Sequence, residues 1–247
     1  PKPLIEVDGK TIIQYVVEMF PGENDITFIC NKDHLNEKKY RMREILKEIA
    51  PESKVISIDP HKLGPIHAVL QAIDGLDSEK PTIVNYADFT CDWNYIDFCN
   101  TVDKAQCDGA IPCYRGFHPH TLWSNYYAYV PEEEMVAIDI QEKVPFTDSP
   151  REEFASSGTY YFRSANLMQQ YFERCVVEDL TVGGEFYVSM AYKPMIQDGL
   201  KINVYELNHF MQWGTPSDLE EYCYWSNAFR LTLNKQKLPK HKGALIL

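Results

Sequence analysis

Residues 81–93 read P-T-I-V-N-Y-A-D-F-T-C-D-W. Thr82, Ile83 and Val84 have the β-branched, apolar character of a buried strand, with Pro81 before them and polar residues after. Asp88 falls just past the C-terminal end of that strand, and Asp92 follows four positions on. Ligands of open α/β sheets bind at this edge. A carboxylate there is placed to hold a divalent ion, although Asp and Asn also serve as ordinary turn residues after strands.

Upstream, Leu4, Ile5 and Val7 form a short extended run closed by the turn signal Asp8-Gly9. Thr11 can cap a helix over residues 12–20, whose Ile12, Ile13, Val16, Val17 and Phe20 share an apolar stripe. Pro21-Gly22 stops it. Strands are expected at 26–30 and 55–58. A helix is expected over 36–49 with Tyr40, Ile45, Leu46 and Ile49 inward, and another over 66–73 opened by Gly64-Pro65. Alternating strands and helices predict a mainly parallel, doubly wound sheet covered by helices. Such a sheet gathers loops and helix N-termini at one edge, where free N–H groups receive phosphate. Lys2 and the 63–65 loop are candidates for that rim, although a terminal lysine and a turn glycine are individually ordinary.

Downstream, a helix is expected over 92–102 and a strand over 109–114. Residues 115–130 are R-G-F-H-P-H-T-L-W-S-N-Y-Y-A-Y-V. His118 and His120 lack a third Cys or His at zinc-site spacing. The aromatic density reads instead as a pocket wall or a subunit interface, and the tyrosines also fit a strand. A strand over 135–140 leads to Glu142-Lys143, a polar excursion covers 147–157, and Ser157-Gly158-Thr159 turns into the aromatic strand 160–162. This antiparallel middle reads as a small subdomain over an acceptor site. Ser164 or Asn166 caps a helix to Glu178. Gly183-Gly184 precedes Glu185, which is expected to open a helix to Met195 and to gain about 0.3–1 kcal/mol there as an anion at a helix N-terminus. The same carboxylate can accept hydrogen bonds from a hydroxyl-rich ligand. After a strand at 202–207, Thr215 caps a last helix with Pro216 at its first position and Asp218 in its first turn. The lysine-rich tail after Lys235 reads as a loosely packed or interface segment.

The 247 residues are 45% hydrophobic and 24% charged, in keeping with an ordinary soluble globular chain. A net charge of -12 argues against a nucleic-acid polymer as partner. Seven scattered cysteines without a C-x-x-C pair suggest free thiols in a reducing compartment, hence a cytoplasmic setting. No apolar run reaches membrane-spanning length, and no signal peptide is visible. The first residue is Pro1 rather than Met, as expected of a processed, trimmed or incompletely represented chain.

Several stretches, in order, together resemble one family. They are Pro1-Lys2-Pro3-Leu4 to Gly9-Lys10, Gly64 to Leu70, Asn85 to Trp93, Glu142-Lys143, Gly158 to Phe162, Glu185-Phe186-Tyr187, and Gly214-Thr215-Pro216 with Asp218-Leu219. The chain resembles the sugar-phosphate nucleotidyltransferases, or nucleoside-diphosphate-sugar pyrophosphorylases, and above all the small bacterial members of capsule and surface-polysaccharide pathways. The resemblance implies a Rossmann-like, GT-A-type α/β fold. It implies a single domain in which residues 1–110 mainly bind nucleotide and 111–220 mainly bind acceptor. The family's first strand and its glycine-rich, arginine-bearing loop precede the P-K motif, and the displayed sequence starts after them.

The implied reaction is attack of a sugar phosphate, or a comparable alcohol phosphate, on the α-phosphorus of an NTP with release of pyrophosphate. CTP is the slightly preferred nucleotide, again by resemblance alone. Lys2 matches the phosphate-contacting lysine, and Asp88 matches the magnesium-holding acid, the expected metal being Mg²⁺. Gly64 and Asn85 fall in the nucleotide-side segments, while Glu142, Lys143, Gly158 and Glu185 match the acceptor side. Many members carry an Asp shortly before the Gly-Thr segment as a second magnesium ligand, where this chain has Gln212. Two other readings share these features. One is a GT-A glycosyltransferase, disfavoured because Asp88 and Asp92 form no D-x-D motif. The other is a non-catalytic nucleotide-sugar-binding protein. A homo-oligomer is a further expectation.

Overall fold

The structure, a computed structural model, describes residues 1–116 and 128–236. His118, His120, most of the aromatic run and the lysine-rich tail lie outside them.

The strand Gly109–Tyr114 is buried at all six positions and sits at the centre of the largest sheet. It pairs in parallel with Ile202–Glu206, Ile202 lying opposite Gly109. On its other side it pairs antiparallel with Thr159–Phe162 and, farther along, with Ala155–Ser156. Thr159–Phe162 pairs in turn with Thr82–Asn85, with Thr159 opposite Asn85 and Phe162 opposite Thr82. Thr82–Asn85, Gly109–Tyr114 and Ile202–Glu206 therefore run one way, and Thr159–Phe162 runs back between the first two. A separate parallel pair joins Thr27–Asn31 to Lys54–Ile58. Short antiparallel strands, Ala128–Tyr129 with Gln141–Glu142 and Glu132–Glu133 with Val136–Ala137, extend the two sides of the large sheet. The expected Rossmann-like α/β layering is present, with the antiparallel middle grafted on. The sheet itself is mixed rather than mainly parallel, because residues 155–162 run antiparallel along Gly109–Tyr114, interrupted but not reversed at Ser157-Gly158.

The main core gathers Ile66, Ile111, Phe162, Phe172, Tyr192 and Met195 between the sheet and its helices. The helix Ala165–Val177 contributes Met168, Phe172 and Cys175 at helical spacing, and Ser164 caps it by accepting from the Leu167 N–H. A second core, with Ile12, Val16, Phe28, Leu46 and Trp213, lies beneath the front of the chain. There Glu6–Val7 and Lys10–Thr11 form a hairpin whose Asp8 and Gly9 have φ of 51° and 88°. Two successive positive φ values are what a tight hairpin turn demands. Asp8 also accepts from Tyr222 at 3.2 Å, Ser226 at 2.8 Å and Arg230, so the C-terminal helix Pro216–Gln236 is tied to the hairpin. Thr11 occupies the cap position of Ile12–Glu18, but its hydroxyl makes no cap bond.

Local geometry departs from expectation at several places. The strand expected over 135–140 is only Val136–Ala137, entered through left-handed Glu134 and Met135, and Leu4 lies in a 3-10 turn rather than an extended run. The 36–49 helix is two helices, Lys32–Asn36 and Met42–Ile49, parted at Arg41, whose φ of 45° is incompatible with a continuous helix. Asp92 does not open a helix. It ends the strand Phe89–Asp92, and Asn94 caps the helix Tyr95–Ala105 by accepting from Asp97 N–H. Glu185 opens no helix either. It lies in a turn after Gly183 and Gly184, and regular structure resumes at the 3-10 segment Val188–Ala191.

Among the described residues no helix is long and apolar enough to cross a membrane. All seven cysteines are free. Burial pushes the Cys30 thiol up to about 11 and those of Cys91 and Cys175 up to about 12.

Candidate active site

Lys2 opens the first 3-10 turn, Lys2–Leu4, directly before the hairpin. Its ammonium donates to Asp88 Oδ2 at 3.1 Å and to the carbonyl of Gly214 at 2.6 Å. Asp88 is held in place through its backbone, since its carbonyl accepts from the Trp213 N–H at 2.8 Å. This junction exists because Phe89–Asp92 pairs antiparallel with His209–Gln212, with Gln212 opposite Phe89. Neither short strand is legible as such in the sequence. Together they bring the 212–215 turn beside Asp88. The last helix anchors that turn, as the Thr215 N–H and hydroxyl both donate to Asp218 at 2.8 Å.

Gly214 lies against the movable end of the Gln212 side chain. A Cβ there would meet Gln212 Nε2 at 2.9 Å and Asp88 Oδ2 at 3.5 Å. Gln212 and Asp88 thus flank one point, and Gln212 also donates to Asp218 at 3.3 Å. Asp92 is not part of the cluster. Four residues of extended chain separate it from Asp88 by about 13 Å.

The donor set at this junction is one carboxylate and one backbone carbonyl, both already facing a cationic group, the Lys2 ammonium. Hard oxygen donors of this kind suit Mg²⁺, which commonly takes one or two carboxylates and completes its shell with water and phosphate oxygens. Among the described residues there is no group of three or more His, Cys, Asp or Glu able to enclose a metal. Asp88 and the Gly214 carbonyl are the oxygens that would hold such an ion, with Gln212 adjacent.

Asn85 closes the strand before the acidic loop. Its Oδ1 accepts from the Thr159 hydroxyl at 2.5 Å and its Nδ2 donates to the Tyr86 carbonyl at 2.7 Å. Gly158, with φ of 99°, packs against the rings of Tyr86 and Phe89, and its carbonyl accepts from the Tyr86 N–H at 3.0 Å. The chain entering the antiparallel central strand therefore brings Gly158 directly onto the acidic loop. Gly64, φ 86°, lies against the backbone of Phe186, where an added Cβ would approach N and O to 2.7 and 2.8 Å. The Leu63 carbonyl accepts from Phe186 N–H, and the Phe186 carbonyl accepts from Ile66 N–H.

Residues 185–189 are consequently a meeting point. Besides the Gly64 contact, the Val188 N–H donates to the Tyr86 hydroxyl at 3.2 Å. The Ser189 hydroxyl donates to Glu142 at 2.6 Å. Glu142 is buried, and desolvation raises its carboxyl pKa above the ordinary value in spite of the Ser189 bond and neighbouring Lys143. Lys143, left-handed at φ 63°, points elsewhere. Its ammonium donates to the Tyr187 hydroxyl at 2.5 Å, and that hydroxyl donates to Glu185. Glu142, Lys143 and Glu185 are thus brought together, with Tyr86, Tyr187 and Ser189 as partners that were not singled out from sequence. The alternation of Glu185 and Tyr187 on extended chain, which puts both on one side, is the signal that would have found Tyr187.

Comparison with known proteins gives a consistent picture. No curated protein matches the sequence. Among solved structures, a nucleoside-diphosphate-sugar pyrophosphorylase from Vibrio cholerae is similar with a TM-score of 0.70 at 18% identity, covering 91% of each chain. A UTP-bound UGPase from Acinetobacter baumannii gives a TM-score of 0.67 at 17% identity, over 97% of this chain and 92% of that one. HddC from Yersinia pseudotuberculosis, complexed with GMP-PN, gives 0.60 at 18% identity, over 92% and 90%. These likenesses establish the fold. The family model described as nucleotidyl transferase matches residues 1–198, more than half of the chain. The chain belongs to the nucleotidyl transferase family.

Proposed function

We propose that the protein transfers a nucleotidyl group from an NTP to a sugar phosphate or similar alcohol phosphate, releasing pyrophosphate, to make precursors of surface polysaccharide. The observation that carries this reading is the convergence of the Lys2 ammonium, the Asp88 carboxylate and the Gly214 carbonyl at one point. In the reaction an acceptor phosphate oxygen forms a bond to the α-phosphorus, and the bond from that phosphorus to the oxygen bridging to the β-phosphate breaks. Both reactants are anions, so positioning and neutralisation of charge supply most of the catalysis.

In this reading Lys2 neutralises charge on the nucleotide phosphates, while Asp88 and the Gly214 carbonyl hold Mg²⁺. Bound Mg²⁺ would supply Lewis-acid polarisation of phosphate oxygens. Gly64 and Asn85 shape the nucleotide side. Glu142 and Glu185 offer acceptor-side carboxylates, Lys143 a cation for the acceptor phosphate, and Gly158 room beside the acidic loop. Residues 1–110 and 111–220 act as the nucleotide and acceptor halves of one domain. CTP is the preferred nucleotide by resemblance to small capsule-pathway members. The free thiols support a cytoplasmic setting. Self-association is proposed through the outer face of Pro216–Gln236, where exposed Trp225 stacks on exposed Phe229.

The test is a matrix of CTP, UTP, GTP, ATP and dTTP against phosphorylated acceptors, with pyrophosphate release as the readout. Release that requires both NTP and acceptor supports the proposal. A blank matrix with the full-length chain would overturn it. One observation favours a second reading, a binding protein without turnover: a neutral amide, Gln212, stands beside Asp88 where a second carboxylate would strengthen the cation site. Calorimetric binding of nucleotide-sugar with no pyrophosphate release would select that reading. Sugar transfer from a nucleotide-sugar would select the glycosyltransferase instead.

A further inference from the structure

Lys143, Tyr187 and Glu185 form a linear chain of charge-assisted hydrogen bonds. A phenol has one proton to give. Tyr187 gives it to the Glu185 carboxylate and so presents only lone pairs to Lys143, which donates at 2.5 Å. The Lys143 ammonium also stands 4.2 Å from the centroid of the same ring. One side chain therefore restrains the lysine in two ways. Burial and the bond to Glu185 raise the Tyr187 pKa, keeping the phenol protonated and the direction of the chain fixed.

The backbone strengthens the arrangement. Lys143 is held in the left-handed region, which a lysine adopts only under constraint, and buried Glu142 beside it is bonded to Ser189. The next residue after Tyr187, Val188, is bonded to Tyr86 of the acidic loop. The position of the Lys143 ammonium is thus fixed relative to the acidic loop through Tyr187 and not through Lys143's own flexible stem.

We propose that Tyr187 is a positioning residue for the acceptor. Its hydroxyl and ring hold the Lys143 ammonium with its two remaining N–H donors free for the acceptor's phosphate, and Glu185, joined through the phenol, offsets the lysine's charge until that phosphate arrives. This rests on the assignment of Lys143 to the acceptor phosphate made above.

The experiment is a double-mutant cycle read by calorimetry and by steady-state kinetics. Wild type, Tyr187→Phe, Lys143→Ala and the double variant are titrated with a panel of phosphorylated acceptors, comprising hexose 1-phosphates, heptose 1-phosphates and glycerol 3-phosphate. Tyr187→Phe keeps the ring and removes only the hydroxyl, and thermal melting checks that each variant is folded. In the wild-type background Tyr187→Phe weakens acceptor binding, or raises acceptor KM, about fivefold with the KM for NTP unchanged. In the Lys143→Ala background the same change has no further effect, because the residue it acts through is gone. Equal losses in both backgrounds, or no loss in either, would overturn the positioning role while leaving the enzymatic reading intact. Failure of wild type to bind any acceptor in the panel would instead sink the acceptor assignment, and this proposal with it.

Discussion

The Lys2 ammonium and the Asp88 carboxylate meet at 3.1 Å across 86 positions of sequence, and the Gly214 carbonyl completes the contact from the far end of the chain. The side chains of Lys2 and Asp88 remain 44% and 33% exposed. Ion pairs this open contribute about 0–1 kcal/mol to stability. Lys2→Ala and Asp88→Ala are therefore expected to leave the thermal midpoint nearly unchanged while lowering kcat about 100- to 1,000-fold, the range seen when a group that stabilises developing charge is removed. Pyrophosphate release and thermal melting on the same preparations separate the two effects.

Gly64 should be intolerant of change for a reason that does not depend on chemistry. Its φ of 86° and the 2.7 Å approach of an added Cβ to the Phe186 nitrogen make Gly64→Ala strained and overlapping at once. A loss of about 1–3 kcal/mol is expected by urea denaturation. Because Phe186 carries the residue before it and the residue after it, Glu185 and Tyr187, into the cluster with Lys143 that is proposed to take the acceptor, the KM values for both substrates should rise together.

Glu142 gives a pH signature. Its folded-state pKa is raised by burial, so the folded protein binds its proton more tightly than the unfolded chain does. That contribution is present at low pH and is lost as pH rises from the unfolded pKa through the raised folded one. Glu142→Gln has no proton to lose and can still accept from Ser189. The variant should gain stability relative to wild type as pH rises through this window and show no gain below it, measured as the difference between two urea midpoints.

Gln212 invites a substitution in the opposite sense. Gln212→Asp places a second carboxylate beside Asp88 and Asp218, which repel it in metal-free buffer. The variant should melt several degrees lower than wild type in EDTA and recover in millimolar Mg²⁺, with the Mg²⁺ concentration for half-maximal activity reduced about tenfold. An Mg²⁺-independent melting point would show that no ion sits between these groups.

Much of the framework is readable from local sequence. Gly109–Tyr114 and Thr159–Phe162 are runs of β-formers between turn signals, and Ser164 and the Thr215-Pro216-Asp218 set mark helix starts by mechanisms that act within four residues. Asp88 was legible because its position after a strand is itself a local property. What was not legible depends on distant partners. F-T-C-D at 89–92 becomes a strand only because H-F-M-Q at 209–212 lies beside it, and that pairing decides where Asp92 goes. The sequence 92–94, D-W-N, offers two capping residues, and the strand pairing leaves Asn94 to serve. The break at Arg41 and the turn before Glu185 are backbone choices that helix-forming neighbours concealed. The mixed sheet could not be read from alternation of elements, since a reversed strand has the same apolar pattern as a forward one.

That reversed strand has a consequence for how the molecule comes into being. Thr82–Asn85 and Gly109–Tyr114 are parted in the chain only by the strand Phe89–Asp92, which belongs to another pair, and by a helix, yet the place between them in the sheet is taken by residues 159–162. During synthesis the two forward strands emerge with a strand-wide vacancy at the middle of the sheet. It stays open until about fifty further residues have been made. Such insertion late in the sequence raises contact order, and chains of this kind fold slowly. The Asn85–Thr159 bond beside the acidic loop cannot close before that insertion, and the Lys2–Gly214 contact closes later still, so a stalled or shortened chain would hold its apolar centre exposed and carry no assembled site.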